Sequence, residues 1–272
     1  MAKCTQYHWI PFRCLGHGIS FVATAHELGL GKSTVRSIVY EGCRAIMDEF
    51  FAEAFPKPTR RTLEENAELF SRLWKYPGGA PQNSGSTYFN YEAYFSLVLL
   101  AIVNGGYRIV SFELGLFRTS PLKRLLEACH PLFPEGADLG GEGVVDYHVL
   151  ADGGFPQRTW LQRPFMQTEI EMISPKLTSM NVSVRESSNV RMKFIIFQRA
   201  LIGSPHNCKL LIAATLVLHN LLAQRLTPQQ LLARYRPRIS VSARRQNPRS
   251  QPSHDAQEQR MRMVRYFARD DL

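Results

Sequence analysis

The chain has 272 residues, 44% of them hydrophobic, and a formal charge of +10. That length suits one large domain or two modest ones with a real core, and the charge points to a polyanionic partner, nucleic acid first. The cysteines Cys4, Cys14, Cys43, Cys129 and Cys208 form no C-x-x-C pair, so neither a zinc site nor a disulfide framework is indicated and reduced thiols are expected. The N-terminus lacks the basic start and apolar core of a secretory signal. The longest apolar runs, Phe95 to Val103 and Leu210 to Leu218, fall far short of the roughly 18 residues of a membrane span. A soluble protein with no membrane partner is expected.

Residues 1 to 20 show no periodicity. From Phe21 to Tyr40, the positions of Ala25, Gly29, Val35 and Ile38 have the spacing of a helix-turn-helix. Ala25 is small where two helices cross. Gly29 permits the left-handed residue that ends the first helix. Ser33 is read as N-cap of the second helix, with Val35, Ile38 and Val39 as its buried stripe. Lys32, Ser33, Thr34, Arg36 and Ser37 then lie at the exposed start of a recognition helix, where base and phosphate contacts are made. The same spacing also fits an ordinary helical hairpin, but the polar, basic outer face favours DNA. A further helix is predicted through Ala45 to Phe55, ending before Pro56 and Pro58.

Thr62 to Leu73 is a second helical pattern, with Thr62 and Glu65 read as a capping box and Leu63, Ala67, Phe70 and Leu73 on one face. After a turn-rich stretch, Tyr94 to Val103 reads as a buried strand. Asn104-Gly-Gly106 is a hairpin turn signal and Tyr107 to Leu114 the returning strand. Leu122 to Ala128 is a short helix and Pro131 to Gly143 a loop. Val144 to Leu150 reads as a short buried strand that delivers Asp152 onto a Gly-Gly corner, with Pro156 closing the turn. A carboxylate there suits close approach of a metal or phosphate, although an Asp-Gly turn joining two elements has the same pattern.

Glu169 to Arg191 is irregular, and Arg191, Lys193 and Arg199 form a basic patch, which is either a solvated face or a phosphate contact. Asn207 to Gln224 reads as a helix with Leu210, Leu211, Ala214, Leu218 and Leu221 inward, and His219 as a packing residue rather than a ligand. From Ala223 to Leu272 eleven Arg face four acids, Asp255, Glu258, Asp270 and Asp271. Most of the net charge sits in this tail, whose Ile239 to Gln257 portion is expected to be disordered.

The order of these features resembles the PIF/Harbinger transposases and the Harbinger transposase-derived nucleases of the DDE endonuclease superfamily. Gly29-Leu-Gly-Lys-Ser-Thr-Val-Arg-Ser-Ile38 is similar to the family's N-terminal helix-turn-helix, and Trp74-Lys-Tyr-Pro77 to its lead-in to the first catalytic strand. The best matches are Pro81-Gln-Asn-Ser-Gly-Ser-Thr-Tyr-Phe-Asn-Tyr91 with Tyr94 to Val103, and Leu150-Ala-Asp-Gly-Gly-Phe-Pro156 with Leu161-Gln-Arg-Pro-Phe165. Lys193 to Arg199 and Leu218-His-Asn-Leu-Leu222 resemble its C-terminal end. The resemblance spans residues 15 to 222. It implies an α/β protein: a helix-turn-helix region over 1–58, a connecting helix over 59–77, an RNase H-like DDE domain over 78–222, and an Arg-rich tail over 223–272. It further implies divalent-metal-dependent cleavage of DNA phosphodiesters with Mg2+ or Mn2+, in which two ions held by acids activate the nucleophile and stabilise the leaving oxygen. A nuclear location, possibly shared with the cytoplasm, and a Myb-like protein partner belong to the same implication.

The departures fall on the catalytic acids. The family's first strand carries an Asp soon after the Trp-x-x-Pro lead-in, whereas no Asp lies between Trp74 and Tyr94 here. The whole first, central strand is therefore expected to be absent. The family's second Asp belongs after the hairpin, where Gly115-Leu-Phe-Arg-Thr-Ser-Pro-Leu122 has no acid. The last acid belongs on a helix, where only Glu186 stands, at short spacing. Asp152 and Glu186 are left as the catalytic and metal-binding acids. Two accounts fit: a nuclease of this family, or an inactive remnant, decayed or domesticated, that binds DNA or a partner.

Overall fold

The computed structural model describes residues 7–74, 79–83, 99–114, 120–129, 133–151, 155–163, 196, 201, 203–227, 230 and 252–269. The chain divides into two compact units, one of residues 1–56 and 191–230, the other of 57–190 and 231–272.

The first unit is helical. Helix α1, Ile10–His17, has Pro11 in its first turn, where a missing N–H costs nothing. It falls in a stretch whose sequence shows no periodicity, because eight residues barely exceed two turns. Ser20 caps α2, Phe21–Leu28, by accepting a bond from Ala23 N, and Gly29 ends it at φ +64° as anticipated. Helix α3 runs unbroken from Lys32 to Ala54. It is one helix where the sequence pattern predicts two, and its N-cap is Gly31, with no side-chain bond, rather than Ser33. The far helix, Pro205–Gln224, here called α6, starts at Ser204, whose Oγ accepts from Asn207 N.

Ile10, Cys14, Leu15, Ala25, Val35, Val39, Cys43 and Ile46 form one core with Leu211, Ala214 and Val217 of α6. Asn220 Nδ2 donates to Ala54 O at 2.8 Å and Gln224 Nε2 to Glu53 O at 3.3 Å, so α6 supplies the partners that the last carbonyls of α3 lack. His219 is fully buried.

The second unit is built on a sheet. Helix α4 spans Arg60–Trp74. Its cap is Thr59, whose Oγ1 accepts from Thr62 N at 3.2 Å, rather than the anticipated Thr62. Strands β1 (Gly79–Asn83), β2 (Leu99–Val103), β3 (Ile109–Leu114), β6 (His148–Ala151) and β7 (Leu161–Gln162) form one sheet in the order β3-β2-β1-β6-β7. Strand β2 is antiparallel to β1 and β3, while β1, β6 and β7 are mutually parallel. A hairpin of β4 (Ala137–Asp138) and β5 (Val144–Val145) precedes β6, so the single strand anticipated from Val144 to Leu150 is two.

The central position in this sheet is therefore not empty, contrary to the expectation from the missing Asp. Strand β2 and strand β6 each present a ladder edge that must be satisfied, and Gly79-Ala-Pro-Gln-Asn83 lies between them. It fits imperfectly. Pro81 has no N–H to give, and the register with β6 shifts between Ala80 and Asn83.

Both faces of β6 are covered, and its side chains alternate between them. Val149 and Ala151 pack with Leu100, Ile102, Phe155 and Leu161, and with Leu122 and Leu126 of α5, Pro121–Cys129. The start of α5 is held by Ser120 Oγ, which accepts from Lys123 N, and by Glu113 of β3, which accepts from Leu122 N. Leu150 faces the other way, onto Phe70, Leu139, Val145, Met263 and Val264. The last two belong to α7, His254–Ala268, which begins inside the tail portion expected to be disordered. Ser253 caps it, and Ala256 and Met263 are fully buried. An amphipathic helix with that much apolar contact outweighs the disorder signal of the surrounding composition.

Candidate nucleic-acid interface and the carboxyl edge of the sheet

Lys32, Ser33, Thr34, Arg36 and Ser37 all lie exposed in the first two turns of α3. Val35 and Val39, both fully buried, fix the helix behind them. No acid occupies the first turn, and Gly31 offers no side-chain acceptor. The positive end of the helix dipole and its first N–H groups thus face outward with two cations beside them, an arrangement that suits a phosphate. Among the described residues neither Lys32 nor Arg36 has an ion-pair partner. Arg36 also opposes the upward push that burial gives the Tyr40 hydroxyl.

In the second unit, Asn83 of β1 is the register partner of Ala151 of β6. Ala151 and Asn83 thus mark the carboxyl ends of two parallel strands, the edge where open α/β sheets place their ligands. Asp152 itself lies outside the described residues, as do Glu186, Arg191 and Lys193.

A two-metal centre needs several carboxylates on neighbouring elements. Strand β1 supplies Gly79-Ala-Pro-Gln-Asn83 and β6 supplies His148-Val-Leu-Ala151, none of them an acid. Among the described residues no three His, Cys, Asp or Glu side chains come together. The donor set of the described residues does not fit a pair of divalent ions. His148 does not add to the set: it is fully buried, with its Nδ1 2.8 Å from Asp146 O.

The polar residues around the Leu161-Gln-Arg-Pro-Phe165 motif carry no signal of their own in the sequence. Gln157 and Gln162 are both buried, their side chains bonded to each other, and they anchor the turn ahead of β7. Gln157 Oε1 accepts from Arg163 N at 3.1 Å, and its backbone oxygen accepts from Arg158 Nη1 at 2.8 Å. Arg260 of α7, only 7% exposed, reaches the same Gln157 Oε1 at 3.5 Å. Gln157 is thus bonded by the Arg260 guanidinium and the Arg163 backbone through its side chain, and by Arg158 through its backbone oxygen.

This chain belongs to the DDE superfamily endonuclease family. Residues 76–220, more than half of it, match that family's model. Endonucleases of this superfamily generally work with divalent metal ions. No curated protein and no solved structure matches the chain. Among the described residues no helix is long and apolar enough to cross a membrane.

Proposed function

We propose that this is a Harbinger-type, transposase-derived protein that binds duplex DNA through α2 and α3 and does not cut it. The observation that carries the second half is the central strand. Its five residues, Gly79 to Asn83, lie beside the strand that leads to Asp152 and bring no carboxylate. The sheet order and strand directions support an RNase H-like core, in which this central strand brings no partner acid for Asp152. The exposed cations at the start of α3 support DNA binding, with α2, the three-residue link and α3 acting as a helix-turn-helix. A nuclear location and a protein partner of the Myb-like kind accord with this reading.

Incubation of the purified chain with supercoiled plasmid and Mg2+ or Mn2+ is expected to give no nicking. Cleavage that Asp152→Ala abolishes would falsify the inactive reading and restore the metal-dependent nuclease. Duplex binding measured by fluorescence anisotropy is expected to weaken steeply with salt, and the Lys32→Ala/Arg36→Ala pair to lower the slope of log K against log[salt] by about 2. Affinity indifferent to both sinks the DNA-binding half.

A further inference from the structure

Helix α3 outlasts its cover. Val35, Val39, Cys43 and Ile46 follow one another along its inner face, and all are buried. Between Ile46 and Ala54 no residue of the helix is. Phe50, one turn beyond Ile46, is 38% exposed, and Phe51 is 41% exposed. Helix α6 reaches the same level, where Asn220 and Gln224 meet Ala54 O and Glu53 O, and between those two contacts it leaves Leu222 45% exposed. Large apolar side chains therefore meet water on both helices at one end of the helical unit.

The charges at this end run against the helix that carries them. Asp48, Glu49 and Glu53 are exposed, and none has an ion-pair partner among the described residues. The last turn of α3 holds no base. Acids there face the negative pole of the helix dipole, and Glu49 and Glu53, one turn apart, repel each other. By helical spacing Asp48 stands beside Phe51 and Glu53 beside Phe50, so each exposed ring has a carboxylate next to it. In a chain of formal charge +10, this end breaks local preference twice, with phenylalanines in water and with acids at the wrong pole. Departures of that kind cluster at functional surfaces. One kind of partner relieves both: a helix with an apolar stripe for the rings and Arg or Lys beside it for the acids. DNA is repelled by these charges, and a second copy docked through the same face would set acid against acid.

We propose that the carboxyl end of α3, with Phe50, Phe51 and the adjoining Leu222 of α6, is a docking surface for a basic amphipathic helix of another protein. It lies wholly within the helical unit and stands whether or not the start of α3 binds DNA.

The test uses the full chain and a labelled synthetic peptide of about 18 residues, with Leu on one helical face and Arg on the other. A peptide with Glu in place of Arg is the control. By anisotropy the Leu/Arg peptide is expected to bind in the micromolar range and the control far more weakly. The Asp48→Asn/Glu49→Gln/Glu53→Gln variant is expected to bind the Leu/Arg peptide roughly tenfold more weakly than the wild type. With the misplaced charges gone, it should also melt about 2–4 °C higher. Those opposite shifts separate docking from a merely structural role, and these near-isosteric changes leave the fold intact. Phe50→Ser/Phe51→Ser is expected to lose the peptide. The proposal is overturned if the wild type ignores the Leu/Arg peptide, if the control binds as well, or if the neutralised variant binds as tightly or melts lower. A free chain that sediments as a dimer, and as a monomer in Phe50→Ser/Phe51→Ser, assigns the face to a second copy and overturns it too.

Discussion

At the scale of single residues, His148 ties acidity to stability. Burial holds it neutral, with a pKa near 4 against 6.5 in the open chain, and the nearby Asp146 carbonyl only partly opposes that shift. Between these values the unfolded chain binds the extra proton, so stability falls as pH drops from 6.5 toward 4 and is unaffected by this group above 6.5. The loss at pH 5 should be about 2 kcal/mol. Thermal melts of the wild type at pH 7.5 and 5.0 check this, and equal midpoints would sink it. Glu142 acts in a lower window. Its pKa is depressed by the hydrogen bond from Arg265, with Arg269 adding to it, so the stability it contributes is present above its ordinary value and lost as pH falls through the depressed one. None of this was legible beforehand, because His148 looks like any polar break in an apolar run. Its burial follows from α4, α5 and α7 covering both faces of the sheet, and those contacts span the chain.

At the scale of elements, α3 shows what sequence patterns conceal. The apolar stripe of Val35, Ile38 and Val39 was readable, and so was the glycine stop at Gly29. Continuity through Gly42 was not, since glycine inside a helix costs about 1 kcal/mol relative to alanine and reads as a break. The reason for Gly42 lies across the crossing with α1. A Cβ there would stand 2.3 Å from Pro11 Cγ and 3.0 Å from Pro11 Cβ, atoms of a stiff ring. Gly42→Ala, which should stabilise a free helix, is therefore expected to cost roughly 1–3 kcal/mol through overpacking. A chemical-denaturation midpoint that rises instead would show that α1 yields. Helix α6 was legible because 20 residues carry enough periodicity. Strand β1 was not: its five residues have no strand character, and only the two ladder edges beside it make it a strand.

At the scale of the molecule, the family match stops at residue 220, yet the core of the sheet unit does not. Met263 is fully buried against Leu150 and Phe70, and α7 also pins the β4–β5 hairpin through Arg265 and Arg269 on Glu142 and Arg262 on Val144 O. Arg262, Arg265 and Arg269 of the tail are thus engaged by Glu258, Glu142 and Val144 O within the protein. Met263→Ala is expected to remove about 2–4 kcal/mol from the sheet unit. Hydrogen exchange should register this as faster exchange in β6 with α3 unchanged; faster exchange in α3 as well would mean the two units do not unfold separately.

The chain leaves the helical unit at residue 56, builds most of the sheet unit, returns for residues 191–230, and departs again. Time enters the fold here. Helices α1 to α3 emerge early from the ribosome with Val35, Val39 and Cys43 in search of cover, while α6, their partner, begins about 150 residues after Ala54. At ordinary synthesis rates that delay is roughly ten to thirty seconds. For that interval the part of the helical core that Leu211, Ala214 and Val217 later cover has only α1 and α2 to shield it, a natural landing place for a chaperone.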